Sequence, residues 1–304
     1  MKRLGRSWFR TALCSLALTS LTSSFVAAQQ APAAGGLTEP VFRISKVEAA
    51  NSGASAIATP HPLDPAIQLA HQSLGQIRAE LNDYSAVIVK RERIGEEVGE
   101  NEFMFAKVRN RKIQDNRIVV PFSVYLAFLK PASVKGREVL YVENLNQGKL
   151  YAHEGGMKRI LGTHLLETTS FLAMAGQRYP ITDIGIENLV VKLIERGEKD
   201  KRHGLCNVEL IPGAKVANRS CSIIQVTHPI QQAHYDFYKA QIFMDDEWKI
   251  PVRYAAYGWP KKGVELDVNK DVIEEYTYQQ IKFNVGLSDA DFDVKHKDYN
   301  FHGK

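Results

Sequence analysis

Apolar residues recur at helical spacing in two stretches of the chain. Ile67, Ala70, Leu74, Ile77 and Leu81 mark one stripe that runs through Asn82, with Gln68, Gln72, Arg78 and Glu80 on the other side. Asp64-Pro65 in front of it supplies an N-cap and a proline at the first helical position. A second stripe of Ile186, Leu189, Val190, Leu193 and Ile194 predicts a helix over Asp183–Lys199, capped by Thr182 or Asp183. Each stripe needs an apolar surface to pack on.

That surface is predicted by alternation at period two. Tyr84–Ile94 and Glu102–Lys112 flank a turn from Gly95 to Glu100 and read as a long hairpin. Val119–Lys130 follows, stopped by Pro131, and Arg137–Glu143 and Lys149–His153 flank the turn Asn144 to Gly148. Further strands are predicted over Cys206–Ile211, Arg219–Thr227, Tyr235–Asp245, Ile250–Tyr257 and Val272–Phe283. In Glu102–Arg109, Met104, Ala106 and Val108 share one face, and Lys107 and Arg109 the other. Strands with one wet face in hairpin order predict an α+β fold, in which a large curved antiparallel sheet, a half-barrel, wraps around two or more helices. A hollow between sheet and helices is the expected site. Its candidate lining is Met104, Val108, Leu126, Phe128 and Leu140 from the first strands. Ile224, Ile242, Met244, Val252 and Tyr254 follow from the later ones.

Composition narrows the setting. A basic start before Arg10, an apolar run from Ala12 to Leu21 and Val26-Ala27-Ala28 form the three parts of an export signal, with cleavage expected after Ala28. Residues 29–62, rich in Ala, Gly, Ser and Pro, read as a disordered linker, 63–293 as one domain, and 294–304 as a polar tail. The net charge of +5 is concentrated in the signal, because removing residues 1–28 leaves 35 basic and 34 acidic residues. Nothing remains to attract nucleic acid. No later run has 18 apolar residues, so any membrane association is expected to be peripheral rather than integral. The periplasm is the expected compartment, with secretion as the other destination of an exported chain. Cys206 and Cys221 are left to pair with each other or to be buried as separate thiols.

Several strings resemble a known family. Val120-Pro121-Phe122-Ser123-Val124-Tyr125-Leu126, Phe128-Leu129-Lys130-Pro131-Ala132-Ser133-Val134-Lys135-Gly136, Gly176-Gln177-Arg178-Tyr179-Pro180-Ile181-Thr182 and Asp245-Asp246-Glu247-Trp248-Lys249-Ile250-Pro251-Val252-Arg253-Tyr254 resemble the exported bacterial family called domain of unknown function 1571. So do Glu274-Glu275-Tyr276-Thr277-Tyr278 and Asn284-Val285-Gly286-Leu287; the resemblance spans about Pro62 to Asp293. More distantly, the Asp-rich turn, Ile-Pro-Val-Arg and the Tyr-rich last strand are similar to the closing strands of LolA/LolB-type periplasmic lipoprotein carriers. That resemblance implies a half-barrel with an apolar cavity for a lipid or lipoprotein acyl chain. It supplies no lid or acyl-contact residues, because no motif here aligns with them.

Catalytic motifs are thin. His153-Glu154-Gly155-Gly156 reads as a solvated turn. His228, His234 and Asp236 offer two imidazoles and a carboxylate, the chemistry of a zinc site or a hydrolase, but Pro229 interrupts them and helical i, i+4 spacing is absent. No catalytic residue, metal or cofactor is expected. Tyr254, Tyr257, Trp259, Tyr276 and Tyr278 cluster in the last two strands, either as cross-strand pairs or as a cavity rim, with Arg253 and Lys282 available for a head group. The leading expectation is therefore a non-catalytic envelope protein that carries an acyl chain. A structural or protein-interaction module with an envelope protein partner is the second reading, and a metal- or His-dependent hydrolase the third.

Overall fold

The computed structural model describes residues 37–39, 42–43 and 60–301. The expected export signal and most of the linker lie outside these residues. Within them, β1 (Phe42–Arg43) precedes α1 (Asp64–Glu80), β2 (Asp83–Ile94), β3 (Glu97–Val98) and β4 (Glu102–Arg109). A separate ribbon of β5 (Lys112–Gln114) and β6 (Arg117–Val120) interrupts what alternation alone joins into longer strands. It turns at Asp115 and Asn116, both with positive φ. Then come β7 (Ser123–Lys130), β8 (Glu138–Val142), β9 (Lys149–His153), β10 (Thr163–Glu167) and the one-turn α2 (Phe171–Met174). After α3 (Ile186–Lys201), the strands β11 (Asn207–Val216), β12 (Arg219–Thr227), β13 (Lys239–Asp245), β14 (Pro251–Tyr257) and β15 (Val272–Phe283) complete the sheet.

Among the described residues, 13 strands form one open sheet in the order β1-β11-β12-β13-β14-β15-β2-β4-β7-β8-β9-β10, with β3 paired to β2. Every neighbour is antiparallel. The half-barrel is thus an unclosed sheet with helices on one face. The last strand inserts beside the first long one, so that Glu274 stands opposite Glu92 and Tyr278 opposite Ile88. β10 and β11 lie toward opposite ends of the row, and the chain between them must cross the sheet. It crosses as α3, whose Ile186 and Val190 join Ile77 of α1 and Leu81 at its C-terminal cap in one core with Ile88, Ala106 and Val124.

Tertiary contacts move the helix starts. The Tyr84 hydroxyl accepts the Ile186 N–H at 2.9 Å, so a side chain from β2 caps α3 in place of Thr182 or Asp183. Gly185 permits this, with φ 109 and only 3.4 Å between the Tyr84 hydroxyl and a Cβ built there. Asp64 lies inside the first turn of α1 and accepts the His61 N–H, while Leu63 takes the cap position. β11 runs past its expected end at Ile211, because a bulge between Ile211 and Ala214 absorbs Pro212-Gly213.

The face expected to be wet is covered. Lys107 is 1% exposed, beneath Tyr299 and paired with Asp291 at 2.8 Å. The segment read as a polar tail supplies this cover: Tyr299 stacks on Tyr125 at 3.8 Å, and Phe301 packs with Leu140 and Phe105. Asn300 of the same segment donates its main-chain and side-chain N–H groups to Glu138 of β8 at 2.9 and 2.6 Å. Leu37 of the linker is likewise buried on Val87, Val89 and Phe103. Cys206 and Cys221 are separate buried thiols, and burial pushes the two up to about 11 and about 12.

Candidate functional site

Strands β2, β4 and β7 to β10 curve with β14 and β15 around a cavity of about 870 Å³, closed on the other side by α3 and residues 172–185. Its apolar wall follows from strand alternation: Ile88 of β2, Met104 of β4, Leu126 and Phe128 of β7, Val139 of β8 and Leu150 of β9 share the helix-bearing face. Leu189 of α3 and Ile181 of the preceding turn face them.

One end of the wall is charged. Lys90 and Glu92 continue the parity of Ile88 along β2, and Glu274 and Tyr276 that of Tyr278 along β15. Glu274 and Glu92 are 2% and 6% exposed. Tyr276 donates its hydroxyl to Glu92, Arg178 donates to Glu274 at 3.3 Å and its N–H to Glu92 at 3.1 Å, and Lys90 lies 3.0 Å from Glu102. Arg196 of α3 reaches across to the Tyr254 hydroxyl at 2.6 Å and to Glu274 at 3.3 Å. Burial, reinforced by Glu274 and Glu92, holds the Tyr276 phenol protonated far above its ordinary value; burial and Glu274 do the same for Tyr254. The site therefore combines an apolar slot with a paired polar end.

The candidate lining residues divide among four places. Met104, Leu126, Phe128 and Tyr254 line the 870 Å³ cavity. Ile224, Ile242 and Met244, again with Tyr254, line a second hollow of about 70 Å³ beneath α1. Val108 and Val252 are packed in the main core. Leu140 is on the opposite face, under the C-terminal segment. Among the tyrosines both expectations hold in part: Tyr254 and Tyr276 are a cross-strand pair that also lines the cavity, while Tyr257 is buried with Ala255 on the other face. Arg253 is on that other face as well, 3% exposed and bonded to Glu275 and Thr277 at 2.6 and 2.7 Å; Lys282 is exposed. The charged wall was missed by looking for apolar residues alone. Its signal was the inward parity of Lys90, Glu92 and Glu274.

His228, His234 and Asp236 form no common site. His228 is fully buried against Tyr235, His234 stacks on His203 at 4.3 Å, and Asp236 is paired with Lys199 at 3.1 Å. Of the three, Asp236 alone lines the cavity. Among the described residues no group of three or more His, Cys, Asp or Glu is arranged to hold a metal ion.

Fold and site together define an open antiparallel half-barrel with an amphiphilic internal cavity. The chain belongs to the family described as protein of unknown function (DUF1571), whose model matches residues 81–301. No curated protein matches it in sequence. Solved structures with similar folds include a DUF1329 family protein from Desulfovibrio piger, at 14% identity and TM-score 0.36, covering 77% of this chain and 98% of that one. The lipoprotein LppX of Mycobacterium tuberculosis aligns at 11% identity and TM-score 0.38, over 76% of this chain and 100% of its own. A LolA superfamily protein from Nitrosomonas europaea aligns at 10% identity and TM-score 0.30, over 74% and 97%. Among the described residues no helix is long and apolar enough to cross a membrane.

Proposed function

We propose that this protein is a non-catalytic binding protein of the cell envelope that holds a lipid or lipoprotein acyl chain in the half-barrel. The observation that carries this reading is the cavity of about 870 Å³, with an apolar wall from five neighbouring strands and a polar end at Glu92, Glu274 and Arg196. The volume falls in the range of sites for drug-sized ligands. Each methylene removed from water contributes about 0.8 kcal/mol, so an acyl chain binds without any polar motif. Paired carboxylates and guanidinium groups at one end keep the acyl chain in the slot and the head group beside them. His228 is buried against Tyr235, His234 stacks on His203, and Asp236 is exposed and paired with Lys199; these separate engagements support binding over hydrolysis.

Lipid extraction and native mass spectrometry of protein purified from its own envelope test this reading. Lipid is expected to accompany the wild-type protein and to be lost from Ala152→Trp, which fills the slot from β9. Wild-type protein that emerges ligand-free, and whose melting temperature is unmoved by added fatty acid or phospholipid, would refute it.

A further inference from the structure

The apolar surface continues outside the cavity. Six of the large apolar side chains exposed among the described residues lie between Met157 and Leu172, on the turn before β10, on β10 and on α2. Met157, Ile160 and Phe171 are 92%, 91% and 88% exposed, so they hold nothing together in the folded chain. Leu161 and Leu172, at 60% and 67%, are exposed and also line the cavity. The two segments therefore meet at its mouth, and the exposed side chains form its rim. Scattered single apolar residues are ordinary on a protein surface; a concentration around an opening is an interaction surface.

Charge selects the partner. Between Gly155 and Thr182 the single acidic residue is Glu167, which Lys149 answers at 3.2 Å. Lys158 and Arg159 stand exposed between Met157 and Ile160. Protruding aliphatic and aromatic side chains interleaved with basic ones, on short segments, suit the interface of an anionic bilayer: the apolar tips enter the acyl boundary and the cations meet phosphate.

We propose that residues 157–172 form a membrane-contact rim that docks the mouth of the cavity on the surface of an anionic phospholipid bilayer. This rests on the amphiphile-binding reading for what passes through the mouth, but the docking itself rests on the surface alone. A cavity facing the bilayer lets an acyl chain move between membrane and slot without crossing water.

The test is co-sedimentation of the chain, expressed with its natural leader, with vesicles of equal parts phosphatidylglycerol and phosphatidylethanolamine, and with vesicles of phosphatidylcholine alone. Wild-type protein is expected to prefer the anionic vesicles and to release as salt rises. The triple variant Met157→Ser, Ile160→Ser, Phe171→Ser is expected to bind them at least about tenfold more weakly. Lys158→Gln with Arg159→Gln is expected to lose the anionic preference, again by about tenfold at low salt. Wild-type protein that ignores both vesicles would overturn the proposal and leave the rim to a protein partner. A triple variant that sediments like the wild type would overturn it too. A fluorescent fatty acid added without vesicles separates the two readings. If the triple variant binds the probe as wild type does, it is folded and any loss on vesicles belongs to the rim. If neither protein binds the probe while the wild type alone sediments, the rim stands and the cavity reading falls.

Discussion

The Nδ1 atom of His228 lies 3.1 Å from the carbonyl oxygen of Phe237, and a carbonyl only accepts, so Nδ1 carries a proton. Nε2 then faces Asp200 Oδ2 at 3.5 Å, with both side chains almost wholly buried. One further proton suits this gap, on Asp200 or on His228. Burial, with Asp236 adding to it, raises Asp200 to about 6 from an ordinary 3.8, while burial lowers His228. The signs are opposite in effect. A raised Asp200 contributes stability that is present below about pH 3.8 and lost as pH rises through about 6; a lowered His228 contributes stability present above about pH 6.5 and lost on acidification. Asp200→Asn keeps the shape and donates to Nε2. Its stability relative to wild type should be greater at about pH 8 than at about pH 4.5, measured by urea unfolding at both. The sequence shows His228 as a candidate ligand with Asp236, and nothing in its spacing identifies Asp200 as the partner. That pairing exists because α3 crosses to the end of β12.

At the scale of elements, the two long helices and ten of the strands were legible, since each has an apolar face with its own period. Short elements were not. β10 and α2 lie in a stretch where no element was predicted, and their apolar residues follow no buried face because many are exposed. The β9 end of that stretch carries a steric device. A Cβ on Gly155 would fall 2.0 Å from the Lys135 carbonyl oxygen and 2.6 Å from the Gly136 carbonyl carbon, both main chain. The turn after β9 therefore packs directly on the turn between β7 and β8, and only glycine fits. Gly155→Ala should destabilise by about 3 kcal/mol in urea unfolding, because backbone must shift. Gly156→Ala, with φ 57 but no atom within 4 Å, should cost about 1 kcal/mol. Equal effects would show that close approach does not govern this turn.

Across the whole molecule, the sheet is covered on both faces within residues 60–301, by helices on one and by residues 287–301 on part of the other. Phe301 is 3% exposed among Leu140, Phe105 and Tyr299. Phe301→Ala should lower stability by about 3 kcal/mol. A change within error would mean that the C-terminal segment is not part of the cooperative fold. Packing of that segment also supplies the buried Lys107 and Arg109 with carboxylate partners, Asp291 and Asp289, at 2.8 and 2.7 Å.

The sequence by itself determined the periods: which segments are helix and strand, which residues share a strand face, and that a one-faced sheet must meet amphipathic helices. These are local properties, written within a few turns or residue pairs. Only tertiary structure decided which face holds a cavity and which is sealed, because that depends on strand order and on what crosses the sheet. Leu140 and Leu126 read alike in the sequence, yet one lies under the C-terminal segment and the other in the slot. Glu92 and Glu274 are 182 residues apart and become neighbours because β15 returns beside β2. Burial and pairing are properties of that register, and no local pattern contains it.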